Sequence, residues 1–98
     1  MIFHVTTKAN WEEALQNGAY ITPSLATEGF IHNSTESQVA GVLLRYYAGQ
    51  TNLVLLHIAE EKLTAELKYE LAPSINEMFP HIFGAINLDA VVEVEKIA

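Results

Sequence analysis

Residues 53 to 58, LVLLHI, constrain the fold more than any other segment. The run is too short for a core helix and too apolar for a strand with one wet face. It therefore reads as a strand in the middle of a sheet, covered on both faces. Its neighbours must come from alternating segments elsewhere. Residues 1 to 6 place Phe3 and Val5 on one side and Ile2, His4 and Thr6 on the other. Residues 66 to 71, ELKYEL, set Leu67, Tyr69 and Leu71 against Glu66, Lys68 and Glu70, and residues 90 to 95, AVVEVE, alternate Val with Glu. Both patterns have the period of two that a strand requires. A brief strand is expected at GFIH, residues 29 to 32, with Phe30, His32 and Ser34 on one side.

Two segments carry helical spacing. In KANWEEALQN, residues 8 to 17, Trp11, Ala14 and Leu15 recur at three and four residues, and Gly18 is placed for a left-handed cap. Thr35 and Gln38 form a reciprocal capping pattern that opens a helix over residues 36 to 48. Val39, Val42, Leu43, Tyr46 and Tyr47 line its apolar face, and Gly49 ends it. Residues 19 to 28 read as a surface loop, and residues 72 to 84, with Pro73, Pro80 and Gly84, as an ordered loop. The order is strand, helix, strand, helix and then three strands. This is an α+β fold, with residues 1–98 forming a single domain.

Composition removes several function classes. Half of the 98 residues are apolar, too many for a disordered chain, yet no apolar run approaches the ~20 residues of a membrane span. Without cysteine there is neither a disulfide framework nor a thiolate metal site. The opening MIFHVTTK has no basic, apolar leader pattern, so a cytoplasmic location and no membrane partner are expected. Twelve acidic residues face five basic ones, for a net charge of −7, which argues against nucleic acid as a partner. The five glycines form no phosphate-cradling motif, and zinc-peptidase and nucleophile-elbow motifs are absent.

The histidines carry the remaining signal. His4, His32 and His81 each lie at a strand or a strand-to-loop junction beside small polar residues or a turn, whereas His57, inside LVLLHI, reads as a satisfied structural side chain. The separations of His4, His32 and His81 match no local metal-ligand signature, and no metal is expected. Glu70 sits on a strand just before the loop that carries His81, a common location for a site. Trp11 and the Tyr46, Tyr47 pair fit helical packing rather than a stacking platform.

Taken in order, IFHVT, WEEALQNGAY, EGFIHNS with Gln38, LVLLHI, LKYE and FPHIFG followed by DAVVEV resemble the bacterial "domain of unknown function 952" family over nearly the whole chain. The resemblance implies a split, mixed sheet of the ADP-ribosyltransferase-like type with two main helices. In that fold NAD lies between two small sheets and is broken at the nicotinamide–ribose bond. It also implies roles. His4, with Thr6 on the same strand face, would hold a ribose; His32 and Ser34 stand for the second-strand motif, with Gln38 opening the next helix. Glu70 would be the catalytic carboxylate at the nicotinamide ribose. His81 belongs to the family block, and Lys68 shares the strand face of Glu70. Three positions depart from the pattern: Phe3 for Tyr, Ala59 for Asp, and Ala85 where Gly-Pro is usual. The expectation is a small protein that binds NAD or an ADP-ribose derivative as substrate, as a monomer or weak homodimer, and cleaves or transfers ADP-ribose. The alternatives are a non-catalytic nucleotide or metabolite binder and a protein-interaction module.

Overall fold

In the computed structural model, which describes residues 1–98, the chain runs through β1 (Ile2–Thr7), α1 (Lys8–Asn17), β2 (Ala19–Tyr20), α2 (Pro23–Thr27) and β3 (Ile31–His32). A 3-10 turn at Glu36–Gln38 leads into α3 (Val39–Tyr46), followed by β4 (Leu53–Ile58), β5 (Leu67–Ala72), β6 (Glu77–Ile82), β7 (Ile86–Asn87) and β8 (Val91–Lys96). The strands form three antiparallel sheets, ordered β1-β4-β8, β3-β6-β5 and β2-β7. The expectation of a mixed sheet is therefore corrected: no ladder among the named strands is parallel. The two larger sheets meet where the chain beyond β3 bridges back to β1, Phe3 and Ser34 exchanging N–H to O=C bonds of 2.8 Å in each direction.

LVLLHI is the central strand of its sheet, as its composition requires. Val54, Leu56 and Ile58 face a core that includes Ile2, Ile31, Ile82 and Ile86, while Leu53 and Leu55 join Phe3 and Val5 beneath Val39, Val42 and Leu43 of α3. Full burial of each such side chain contributes roughly 1.5–3 kcal/mol. Thr7 caps α1 by accepting from the Asn10 N–H at 3.1 Å, and Gly18 closes it in the left-handed region at φ 84°. The Thr35 capping box is also formed, but its first turn is 3-10 and the α-helix proper ends at Tyr46.

The two loops are corrected. Residues 19 to 28 contain β2 and the short helix α2, begun by Pro23 in its first turn. Residues 72 to 84 contain β6, the middle strand of its sheet, despite Pro80. The Pro80 carbonyl accepts from the Asn33 N–H at 3.0 Å, just past the end of β3. In an antiparallel strand a residue's nitrogen and oxygen face the same neighbour, so the missing donor falls where that ladder is already ending.

Candidate functional site

The pairing register assembles one face of the β3-β6-β5 sheet. His32 of β3 stands opposite His81 of β6, and His81 opposite Lys68 of β5, so three polar side chains share a row across the sheet. In the next row Phe79 faces Glu70. The opposite face carries Ile31, Ile82 and Leu67 and packs into the core. The period of two thus sends one set of residues to the core and the other to the site.

A cavity of about 600 Å³ opens between this face and the β1 end of the other large sheet, under α3. Its volume lies in the range of small-molecule sites. The walls include His4, His32, Asn33, Ser34 and His81 together with Phe3, Tyr46, Tyr47 and Phe79, and apolar surface predominates. A second, smaller cavity of about 250 Å³ is lined by Thr6, Tyr20, Thr22 and Ser24. His4, Val5, His32 and Tyr47 line both. None of the five cations lines either one.

At the cleft wall, His81 Nδ1 donates to Glu70 Oε1 at 2.8 Å, since an ionised carboxylate can only accept. The His81 ring stacks on Phe30, with centroids 4.0 Å apart and planes 13° from parallel. His81 is thereby fixed through one nitrogen and one ring face, leaving Nε2 without a protein partner. A carboxylate behind an imidazole sets the tautomer and stabilises the imidazolium if the ring gains a proton. His32 is more exposed and bonds Glu28 Oε2 through Nε2 at 3.0 Å.

His4 is enclosed instead. Its Nδ1 donates to the His32 carbonyl at 2.6 Å, and its Nε2 lies 2.8 Å from the Tyr20 hydroxyl. Burial holds the His4 pKa down to about 4, against a weaker raising effect of the bond to His32. The ring is neutral at pH 7, so with Nδ1 protonated Nε2 must accept from Tyr20. The Tyr20 hydroxyl also lies 2.8 Å from the Thr6 hydroxyl, which joins Thr6 to the same buried network. Burial raises the Tyr20 pKa to about 12, and the hydrogen bond with Thr6 opposes that rise. Both His4 nitrogens are thus engaged by protein groups, while the ring still borders the cleft.

Of the residues singled out in the sequence, His4, His32, Ser34 and His81 meet at the larger cavity, and Thr6 lines the smaller one. Glu70 stands one hydrogen bond behind His81. Lys68 lies outside the walls, 3.7 Å from Glu66 and over the Phe83 ring. Gln38 also lies outside: its Oε1 accepts from the Thr35 N–H, and its Nε2 donates to the Met78 carbonyl at 2.8 Å, tying the start of α3 to β6. Tyr20, Phe30, Asn33 and Phe79 complete the site without having been singled out for it. Phe79, His81 and Phe83 do alternate in the sequence, but Pro80 between them reads as a strand breaker and masks the pattern. Asn33 donates from Nδ2 to the Ile31 carbonyl at 2.9 Å, which leaves its buried Oδ1 without a partner.

Fold and site together define a small antiparallel α+β protein with a ligand-sized cleft between two sheets. The chain belongs to the family described as protein of unknown function (DUF952), whose pattern matches residues 5–94. The crystal structure of protein CC0527 from Caulobacter crescentus superposes with a TM-score of 0.89 at 28% identity, covering 99% of this chain and 85% of that one. The solution structure of CC0527 gives a TM-score of 0.84 at 28% identity, covering 98% and 83%. No curated protein matches the sequence. No helix is long and apolar enough to cross a membrane.

Proposed function

We propose that the cleft binds a nucleotide of the NAD or ADP-ribose kind and that the protein is an ADP-ribosyltransferase-like enzyme acting on the nicotinamide–ribose bond. The observation that carries this reading is the Glu70–His81 pair at the wall of a cavity of about 600 Å³ between two sheets. The ordered sequence blocks resemble the DUF952 family, and the superfamily which that resemblance implies points the same way. Aromatic walls suit the flat face of a base or nicotinamide ring, and His32 and Ser34 offer polar groups for a ribose.

The chemistry follows from the position of the free His81 nitrogen. Breaking the bond sends its electron pair to the nicotinamide nitrogen and leaves positive charge on the ribose. Water adds to that carbon and gives up a proton, which His81 Nε2 accepts. Glu70 stabilises the resulting imidazolium and lends negative potential to the cationic transition state. In this scheme His81 touches the reacting water, and Glu70 acts through it.

A second reading is favoured by the absence of Lys and Arg from the walls. A pyrophosphate there relies on backbone amides and neutral side chains, so a non-catalytic site for a less charged metabolite fits the same cleft. Titration calorimetry with NAD, ADP-ribose and nicotinamide, paired with chromatography of the NAD incubation, separates the two. Binding with release of nicotinamide supports the enzyme. Binding without release supports the second reading, and no heat with any of the three removes the NAD assignment.

A further inference from the structure

The other large sheet carries a second cluster of ligating side chains, away from the cleft wall that holds Glu70. In β4 every residue is buried except His57, and its register partner on the edge strand β8 is Glu93. Glu95, two residues further along β8, returns to the same face. His57 Nε2 lies 2.8 Å from Glu95 Oε1, and one ligating atom from each of His57, Glu93 and Glu95 falls within 4.8 Å of the other two. Neither glutamate pairs with a Lys or Arg: Lys96 alternates to the opposite face, against Val54. Helix α3 covers Leu53 and Leu55 but leaves this end of the sheet open.

We propose that His57, Glu93 and Glu95 bind one divalent transition-metal ion of the zinc class. An imidazole and two carboxylates form a borderline donor set suited to such ions, and bond lengths of about 2.0–2.2 Å place neighbouring donors roughly 3.4 Å apart. The present donor triangle closes to that size by rotation of two exposed glutamate side chains. The histidine nitrogen and the Glu95 oxygen need to part only slightly. Phe3 stands edge-on to the His57 ring, centroids 4.9 Å apart at 74°, which fixes the ring that would anchor the ion. Two positive charges would balance two carboxylates that no cation now neutralises.

The ion would have a structural task. The β4–β8 register shifts between His57 and Ile58, where the ladder is locally irregular. Donors from both strands would clamp the edge strand at that irregularity.

Isothermal titration of the chelator-treated, tag-free chain with zinc chloride, with a thermal melt at each ratio, tests the site. One ion per chain and a raised melting temperature are expected. Glu93→Gln with Glu95→Gln, both exposed, should weaken binding at least about tenfold and abolish the thermal shift with unchanged circular dichroism. His57→Ala should do the same, while His32→Ala and His81→Ala leave zinc binding in place. Equal binding by the glutamine variant, loss of binding in His32→Ala or His81→Ala, or no saturable binding by the parent chain overturns the proposal.

Discussion

Glu70 and His81 sit on adjacent strands in diagonal register, and the 2.8 Å bond between them turns a solvent-facing carboxylate into the support of a cleft-lining imidazole. Glu70 pairs directly with Phe79, so its side chain leans along the strand to reach the residue two positions further. The bond fixes which His81 nitrogen faces the sheet and which remains free. An alternating strand face, with Lys68 and Glu70 outward, becomes chemically specific only because β6 brings His81 alongside it.

Replacing Glu70 by Gln preserves an oxygen acceptor for His81 but removes the negative charge. Release of nicotinamide from NAD should fall by about 10²-fold or more, with a much smaller change in the affinity for ADP-ribose. Chromatographic rate measurement with calorimetry on the same variant makes the comparison. Unchanged release sinks the catalytic assignment of the pair.

The sequence showed the frame better than the site. LVLLHI could only be a central strand because nothing else covers both of its faces, and the Thr35, Gln38 and Gly18 signals act through the chain within a few residues of themselves. Local physics decides those elements. β2 and β7 have two residues each, too few for a period to register, whereas the brief strand expected at GFIH is present as β3. β6 was hidden by Pro80, whose acceptability depends on β3 ending beside it. The internal engagement of His4 depends on Tyr20, sixteen residues away in sequence. Neither relation is visible before the sheets are assembled.

The relay from Thr6 through Tyr20 to His4 supports a stability prediction. Tyr20→Phe keeps the ring that packs near Trp11 but leaves the buried His4 Nε2 without its donor. A loss of about 1–3 kcal/mol is expected, since an unpaired buried acceptor keeps its desolvation cost. Urea unfolding of the variant at pH 7 measures it. A change below about 0.5 kcal/mol, the scatter of ordinary surface substitutions, would contradict the relay.

Gly84 follows β6 and lies against Ala65, where an added Cβ would stand 2.8 Å from the Ala65 Cβ. Backbone or neighbour must shift to admit it. Gly84→Ala is expected to cost about 1–3 kcal/mol, the usual range for overpacking. Ala65→Gly in the same chain should recover part of the loss by vacating that space. The urea midpoints of the parent and the two variants give the answer, and no recovery in the pair means the contact is not the cause.

Acid should weaken the fold through His4. Its pKa falls from 6.5 to about 4 on folding because burial disfavours the imidazolium. Between those values the unfolded chain binds more protons than the folded one, so stability declines as pH is lowered through the window and this contribution levels off below about 4. The full effect is roughly 3 kcal/mol. It should show as a falling urea midpoint between pH 7 and pH 4.5. His4→Gln removes the titrating ring, so the variant, although less stable at pH 7, should have a flatter pH dependence than the parent. Parallel pH profiles for the two chains would assign the acid sensitivity to other groups.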